Sequence, residues 1–579
     1  MKKLMLGNEA VARGLYEAGC HIVSSYPGTP STEITEFAAK YPEIYSEWAP
    51  NEKVATEVAV GASIGGARSF CAMKHVGLNV AADPLFTASY TGVGGGLILA
   101  VADDQGMHSS QNEQDSRHYA VAAKVPMVEP ADSAECKDYV RFAYELSERF
   151  DTPVIFRLST RVSHSQSIAE ECGRDELPLK DYQKDPKKYV MMPGNAKLRH
   201  VVVEERTKAL TEFAETCPIN RVEWGSREVG VITSGIAYQY AREDFGDRAS
   251  YLKLGLVNPL PEKLILDFAA QVKTVYVIEE LDDVIETHCK KLGVVCSGKE
   301  HFSPIGEYFQ SAVQQKLLGK VNDFTAFDEP VPVRPPVMCP GCPHRGLFYT
   351  LGKLKVMVSG DIGCYTLGAT PPLNAMDTTV CMGASISGLH GFNKARHQEG
   401  NSVAVIGDST FMHSGMTGLA NITYNQGCST VIVVDNSITG MTGHQQNPTT
   451  GRTLSGAVVP KIEIEAVCRA LGVKRVRVED PNDLKGMEAA IREELAVSEP
   501  SVIVSRRPCA LLKEVKHEKP FLIDREKCRG CKACLKIGCP AISMSDKKAS
   551  IDNTLCVGCG LCKELCSFGA ILTSEEAGK

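Results

Sequence analysis

The C-terminal stretch of this chain crowds eight cysteines into two runs, Cys528-x2-Cys531-x2-Cys534-x4-Cys539-Pro540 and Cys556-x2-Cys559-x2-Cys562-x3-Cys566. Thiolates are soft ligands. Three at this spacing wrap one 4Fe-4S cube, while the fourth lies too far along the chain and ligates the other cube. On that exchange one cluster takes Cys528, Cys531, Cys534 and Cys566, and the other takes Cys556, Cys559, Cys562 and Cys539. The first run has four residues before its last cysteine instead of three, and Ser567 stands where a proline usually follows the second run. Neither departure removes a ligand. Structural zinc is the plainer alternative, since paired Cys-x-x-Cys also suits a tetrahedral site, but two triplets plus two singles match two cubes better.

A second chemical group lies at 407–443, GDSTFMHSGMTGLANITYNQGCSTVIVVDNSITGMTG. One apolar run ends in Gly407-Asp408 and the next in Asp435-Asn436, so Asn436 follows Asp408 by 28 positions. In a parallel sheet both ends fall on the carboxyl edge, where the intervening helix presents its N-terminus to a phosphate. This specifies a diphosphate and metal site, and the spacing resembles the thiamine diphosphate signature. Asp408 and Asn436 match its Mg2+ side-chain ligands, and the backbone carbonyl of Ile438 matches its third protein contact. Magnesium demands an octahedron and completes it with phosphate oxygens, so two side chains and a carbonyl suffice. Gly407, Ser409 and Thr442, the last in the turn Gly440-Met441-Thr442-Gly443, complete the expected cofactor-binding set. A Gly-Asp pair by itself is common in plain αβ turns; the spaced Asp-Asn and the glycine turn carry the reading.

Thiamine enzymes hold the cofactor between two α/β blocks, and the second block must offer a glutamate to the aminopyrimidine. NEKVATEVAVGASIGGAR supplies Glu52 in preference to Glu57, because Glu52 opens a pattern of small residues, Ala55, Ala59, Gly61 and Ala62, that lets a helix lie close to the cofactor. A carboxyl there can donate to the ring nitrogen. The plainer reading is a helix start with surface glutamates.

Positioning these residues requires several domains, and 579 residues predict about three to five. Helical and apolar-strand patterns alternate, as in parallel sheets covered by helices. Residues 1–165 read as one α/β domain, with a helix over Asn8 to Ala18, the strand HIVSSYP, helices from Thr32 and Glu52, and strands near SFCAMKH and PVIFRLS. Residues 166–225 read as a charged linker followed by a helix. A smaller α/β domain at 226–325 carries VGVITSG and TVYVIEE, the Pro-rich DEPVPVRPPVMCP marks the next boundary, and 326–515 forms the block of SVAVIGD, TVIVVDN and SVIVSRR. Residues 516–579 hold the two cysteine runs.

Composition excludes several classes. With 43% hydrophobic and 23% charged residues and a net charge of −7, no bulk electrostatic argument favours nucleic acid or an anionic membrane. The start, MKKLMLGNEAVARGLYEAG, turns polar by Asn8 and reads as a first helix, not a secretory signal. No apolar run reaches the roughly 18 residues that span a bilayer. Twenty-two cysteines suit a reducing compartment, so a cytoplasmic location is expected.

Taken whole, the chain resembles the 2-oxoacid:ferredoxin oxidoreductases over nearly its full length. The resemblance implies an order of pyrimidine-binding thiamine domain, transketolase-C-like domain, diphosphate-binding domain and dicluster ferredoxin domain. It assigns Thr29, in Tyr26-Pro27-Gly28-Thr29-Pro30-Ser31, to contact with the oxoacid, and Arg117, in NEQDSRHYA, to its carboxylate. His75, in CAMKHVGLN, would face the thiazolium or simply be packed. It also implies a further 4Fe-4S cube near the thiamine, bound by the Cys339-Pro-Gly-Cys342 turn, Cys364 and Cys509. A vestigial or zinc-binding turn, with Cys509 merely a small buried residue, is the alternative there. The implied reaction is oxidative decarboxylation of an aryl 2-oxoacid such as indolepyruvate or phenylpyruvate, with transfer of the acyl group to coenzyme A and of electrons to ferredoxin. A small beta subunit would complete a heterotetramer. Two rivals stay open at this point: a pyruvate-type enzyme with an aliphatic substrate, and an electron-transfer subunit without thiamine chemistry of its own.

Overall fold

The computed structural model describes residues 1–321 and 328–577. The chain divides into two compact units, Met1–Ala326 and Phe327–Lys579. The expected boundary at 325/326 lies outside the described residues.

The central strands of the first unit are buried along their whole length, as a sheet covered on both faces requires. Along Leu97–Asp103, Leu97, Leu99 and Val101 join one hydrophobic cluster while Ile98, Ala100 and Ala102 join another. The period of two thus sends alternate residues to opposite helical layers. In spatial order the sheet runs Leu256–Asn258, Met127–Val128, Val154–Ser159, Leu97–Asp103, Ser69–Lys74, Ile22–Ser25 and Tyr45–Trp48. All neighbours are parallel except Leu256–Asn258, which pairs antiparallel with Met127–Val128. A strand from the expected second block therefore closes the sheet of the first.

Two expectations need correction here. The N-terminus does not begin with a helix: Lys2–Leu6 is a strand, paired antiparallel with Gln166–Glu170, and the helix follows over Gly7–Glu17. The helix expected within 166–225 is present, but it packs on the first sheet and does not merely follow a linker. Helix Pro193–Ala214 buries Val203, Leu210 and Ala214, and the last two pack into the core of the seven-stranded sheet. Charged residues on its outer face disguise that apolar stripe. A second sheet, in the order Cys296–Ser297, Thr274–Ile278, Val229–Ser234, Ser250–Leu254 and Arg221–Glu223, is parallel but for its last strand.

The second unit contains a fully parallel sheet in the order Met357–Ser359, Ser402–Gly407, Thr430–Asp435, Ser501–Arg506 and Arg475–Glu479. Here too Val403 and Val405 face one cluster, and Ala404 and Ile406 the other. The cysteine-rich end has two antiparallel ribbons, Leu522–Ile523 with Ile571–Leu572 and Ile542–Ser545 with Lys548–Ile551. Among the described residues no helix is long and apolar enough to cross a membrane.

Candidate active site

In the first unit, the residues singled out from sequence all lie at the carboxyl edge of the parallel strands, where such sheets bind ligands. Glu52 opens the helix Glu52–Ile64, whose N-cap Asn51 accepts a hydrogen bond from the Val54 amide at 2.9 Å. The Glu52 side chain is buried. It lies against Gly77, where a Cβ would stand 2.6 Å from Glu52 Oε1. Of the small residues behind it, Ala55 and Ala59 are buried in the protein, whereas Gly61 is exposed. Glu57 is exposed and pairs with Lys53. Thr29 sits half-buried in the turn after Ile22–Ser25, which is closed by the Ser31 amide donating to the Gly28 carbonyl at 2.8 Å. His75 follows the strand Ser69–Lys74; its Nε2 lies 3.0 Å from the Asn112 carbonyl, and its buried Nδ1 has no partner among the described residues.

Arg117 departs from expectation. It is 1% exposed at the start of helix Arg117–Ala123. Its Nε donates to Asp115 at 2.9 Å, its Nη2 to Asp115 at 2.6 Å and to the carbonyls of Glu280 and Asp282 at 3.0 and 2.9 Å, and its Nη1 to Glu279. All three guanidinium nitrogens are thus engaged within the protein. Turning it toward a substrate carboxylate would strand Asp115 and Glu279 as buried, unpaired charges, which is strongly unfavourable. Arg117 is instead a buried tie between the two sheets of this unit.

The second unit carries the residues expected to bind a diphosphate. Strand Ser402–Gly407 runs straight into a helical segment that begins at Asp408, so the free amides of its first turn open at the sheet edge. Gly407 must be glycine because a Cβ would meet the Tyr365 ring at 2.7 Å. Asp408 is buried; its Oδ1 accepts from the Ser409 amide at 2.7 Å, while its Oδ2 has no partner among the described residues. Burial, and then the neighbouring Asp435 carboxylate, push the Asp408 carboxyl up to about 8. A bound cation would favour the ionised form and take up the orphaned oxygen, so the donor set fits a divalent metal. Asn436 and Ile438 are buried beside it, and the Asn436 carbonyl accepts from the Cys509 amide at 2.9 Å. Thr442 turns back onto Gln445, its hydroxyl donating to Gln445 Oε1 at 2.6 Å.

Sequence reading missed Asp361. It lies two residues past the edge strand Met357–Ser359, is fully buried, and accepts from the amides of Ile362, Gly383 and Ser385 at 2.9, 2.9 and 3.0 Å. It thereby ties the loop that carries Cys364 to the start of helix Ala384–Arg396. The signal was present: Gly360-Asp361 is a second strand-ending Gly-Asp in the same block.

The cysteines of the C-terminal runs converge on two cavities. Cys528, Cys531, Cys534 and Cys566 line one; Cys539, Cys556, Cys559 and Cys562 line the other. These are the two sets expected from the exchanged spacing. No three His, Cys, Asp or Glu side chains among the described residues converge tightly enough to hold a single ion. The amides of Ala549 and Ala570 donate to the sulfurs of Cys528 and Cys566 at 3.4 and 3.3 Å. The Ala549 amide, helped by that of Gly530, holds the Cys528 thiol below its ordinary value. The third set also gathers. The Cys342 amide closes its turn onto Cys339 at 3.1 Å. Burial first, with the other cysteines of the set adding, pushes the Cys342 thiol up to about 12 and Cys364 up to about 11. Cys509 Sγ lies 3.8 Å from His444 Nε2.

Comparison with known proteins adds three matching domain families. Pyruvate flavodoxin/ferredoxin oxidoreductase, thiamine diP-binding, matches residues 13–216; thiamine pyrophosphate enzyme, C-terminal TPP binding domain, matches 361–505; and the 4Fe-4S binding domain matches 549–572. The chain is 38% identical to indolepyruvate oxidoreductase subunit IorA of Archaeoglobus fulgidus, covering 99% of this chain and 98% of that one. It is 40% identical to the proteins of that name in Pyrococcus horikoshii and Thermococcus kodakarensis, in each case over 99% of this chain and 97% of the relative.

Proposed function

The chain belongs to the family of indolepyruvate oxidoreductase IorA subunits, and on that premise we propose that it catalyses ferredoxin-dependent oxidative decarboxylation of aryl pyruvates, indolepyruvate and phenylpyruvate among them, to arylacetyl-CoA and CO2. It is an oxidoreductase of 2-oxoacids that uses thiamine diphosphate and iron-sulfur clusters. The observation that carries the reading is the coexistence, in one unit, of a strand-to-helix edge where the buried Asp408 keeps one orphaned oxygen with two cavities each lined by four cysteines. A non-oxidative decarboxylase has use for the first but none for the second.

Bound thiamine diphosphate supplies the electron sink that lets a 2-oxoacid lose CO2. Toward it, Asp408, Asn436 and the Ile438 carbonyl would hold Mg2+, while Gly407, Ser409 and Thr442 would line the diphosphate. Glu52 would hold or move the proton at the aminopyrimidine. Thr29 and His75 remain candidates for contact with the oxoacid end. With Arg117 committed to Asp115 and Glu279, another group must meet the substrate carboxylate. Cys339, Cys342, Cys364 and Cys509 suit a third cube, which would give close to twelve irons per chain, falling toward eight in Cys342→Ala. The reading includes a small beta subunit in a heterotetramer, coenzyme A, a ferredoxin and a cytoplasmic location.

The deciding experiment supplies a panel of 2-oxoacids, with and without coenzyme A, to the anaerobic complex and follows viologen reduction. Aryl pyruvates should support the fastest CoA-dependent rates. A preference for pyruvate would favour the aliphatic rival, and no oxoacid-dependent reduction would leave an electron-transfer subunit.

A further inference from the structure

The two cluster cavities have unlike surroundings. The one formed by Cys539, Cys556, Cys559 and Cys562 is also lined by Pro340 and Gly341 of the Cys339-Cys342 turn. Nearby, Asn482 donates to the Cys559 carbonyl at 3.3 Å and Arg345 to the Ile537 carbonyl at 3.1 Å. This cavity faces the rest of its own unit. The lining of the other comes entirely from residues 523–571, with Cys531 exposed and Phe568 48% exposed at its mouth.

Around that mouth the charge is reversed relative to the chain. Residues 524–532 and 546–548 hold six cations, Arg525, Lys527, Arg529, Lys532, Lys547 and Lys548, against three carboxylates, whereas the whole chain carries −7. The two segments are packed together: a Cβ on Gly530 would stand 2.3 Å from the Lys547 carbonyl, and Lys548 Nζ donates to the Cys528 carbonyl. Arg525 and Lys527 are paired with Asp546 and Asp524 at 3.3 and 3.2 Å. Arg529, Lys532 and Lys547 are exposed and have no ion pair among the described residues. Such a local positive field on an acidic protein attracts and orients an acidic partner over short range.

We propose that this rim is the docking face for an acidic one-electron carrier protein, and that the cluster of Cys528, Cys531, Cys534 and Cys566 is where electrons leave the chain. The inference rests on the functional reading above and adds direction to it. A cluster held in the inward cavity, beside the Cys339-Cys342 turn, would feed one held by Cys528, Cys531, Cys534 and Cys566 in the outward cavity, whose exposed rim would hand single electrons to the carrier with no proton or bond exchanged. Phe568 would supply the apolar contact at the centre of a charged ring.

The test is binding of an acidic ferredoxin to the anaerobic holoenzyme at low and high salt, by titration calorimetry, in wild type and in a variant carrying Arg529→Glu, Lys532→Glu and Lys547→Glu. None of the three is a cluster ligand, and iron content is measured alongside. Wild-type affinity should fall with salt, and the variant should bind about tenfold or more weakly at low salt with little salt dependence left. Equal affinity in a variant of full iron content would overturn the proposal. If the triple variant loses iron, Lys547→Glu alone, outside the ligand loop, decides in the same direction on a smaller scale. The functional reading fails separately: wild type that binds the carrier at this rim but reduces no dye with any 2-oxoacid would retain the docking face and lose the reaction.

Discussion

At the scale of single residues, local spacing and distant partners divide what was legible. The cysteine sets could be read because each triplet is fixed by its own turn, so spacing alone determines which sulfurs face one cavity. Asp408 could be read for the same reason: a strand end and a helix start are adjacent in sequence. If Asp408 is the metal ligand, Asp408→Ala should strip thiamine and Mg2+ while leaving iron content and cluster absorption unchanged. Full thiamine occupancy in that variant would end the assignment. Arg117 was misread because its partners Glu279, Glu280 and Asp282 lie more than 160 positions away, and no pattern around NEQDSRHYA records them. The same buried network makes a pH prediction. Glu280 accepts from the Tyr308 amide at 2.8 Å, and burial pushes its carboxyl from the ordinary 4.5 up to about 7. Between those values the unfolded chain has lost a proton that the folded chain keeps. Stability contributed here therefore falls as pH rises from 4.5 to about 7 and is flat above, by on the order of 3 kcal/mol. Glu280→Gln, which keeps the acceptor for Tyr308, should reduce that slope in the thermal midpoint measured from pH 5 to 8; a slope identical to wild type would show that Glu280 is not its source.

Among the elements, buried parallel strands were the most legible, because SVAVIGD and TVIVVDN are short apolar runs that end in turn residues. The packing of helix on helix was not. Nothing in the sequence says that the helix beginning at Glu52 meets the one beginning at His75 through Gly77, yet that contact fixes where the Glu52 carboxyl can lie. Gly77→Ala would place a methyl 2.6 Å from Glu52 Oε1, and the carboxyl would have to swing away. An overpacked contact costs about 1–3 kcal/mol. Thiamine affinity should therefore weaken about tenfold or more, read by titration of the apoprotein, with iron content unaffected. An unchanged affinity would mean that the Glu52 rotamer does not matter to the cofactor.

At the scale of the whole molecule, the alternation of strands and helices gave the α/β class and the order of blocks, but not where independent folding begins and ends. Sequence reading placed a boundary at residue 165. Three later segments cross it: Gln166–Glu170 covers Lys2–Leu6, helix Pro193–Ala214 packs Leu210 and Ala214 into the first core, and Leu256–Asn258 closes the sheet beside Met127–Val128. Arg117 and Glu279 then tie that sheet to the second through a buried ion pair. Such pairings join residues far apart in sequence, so neither composition nor periodicity marks them, and a chain cut at 165 would leave an open sheet edge and an uncovered apolar face. A fragment of residues 1–165 should accordingly be unfolded or aggregated, whereas residues 1–321 should melt in a cooperative transition with near-ultraviolet circular dichroism typical of packed aromatics. Cooperative melting of the shorter fragment would show that the exchanged strand and helix decorate a domain already complete, and that the sequence boundary was the physical one.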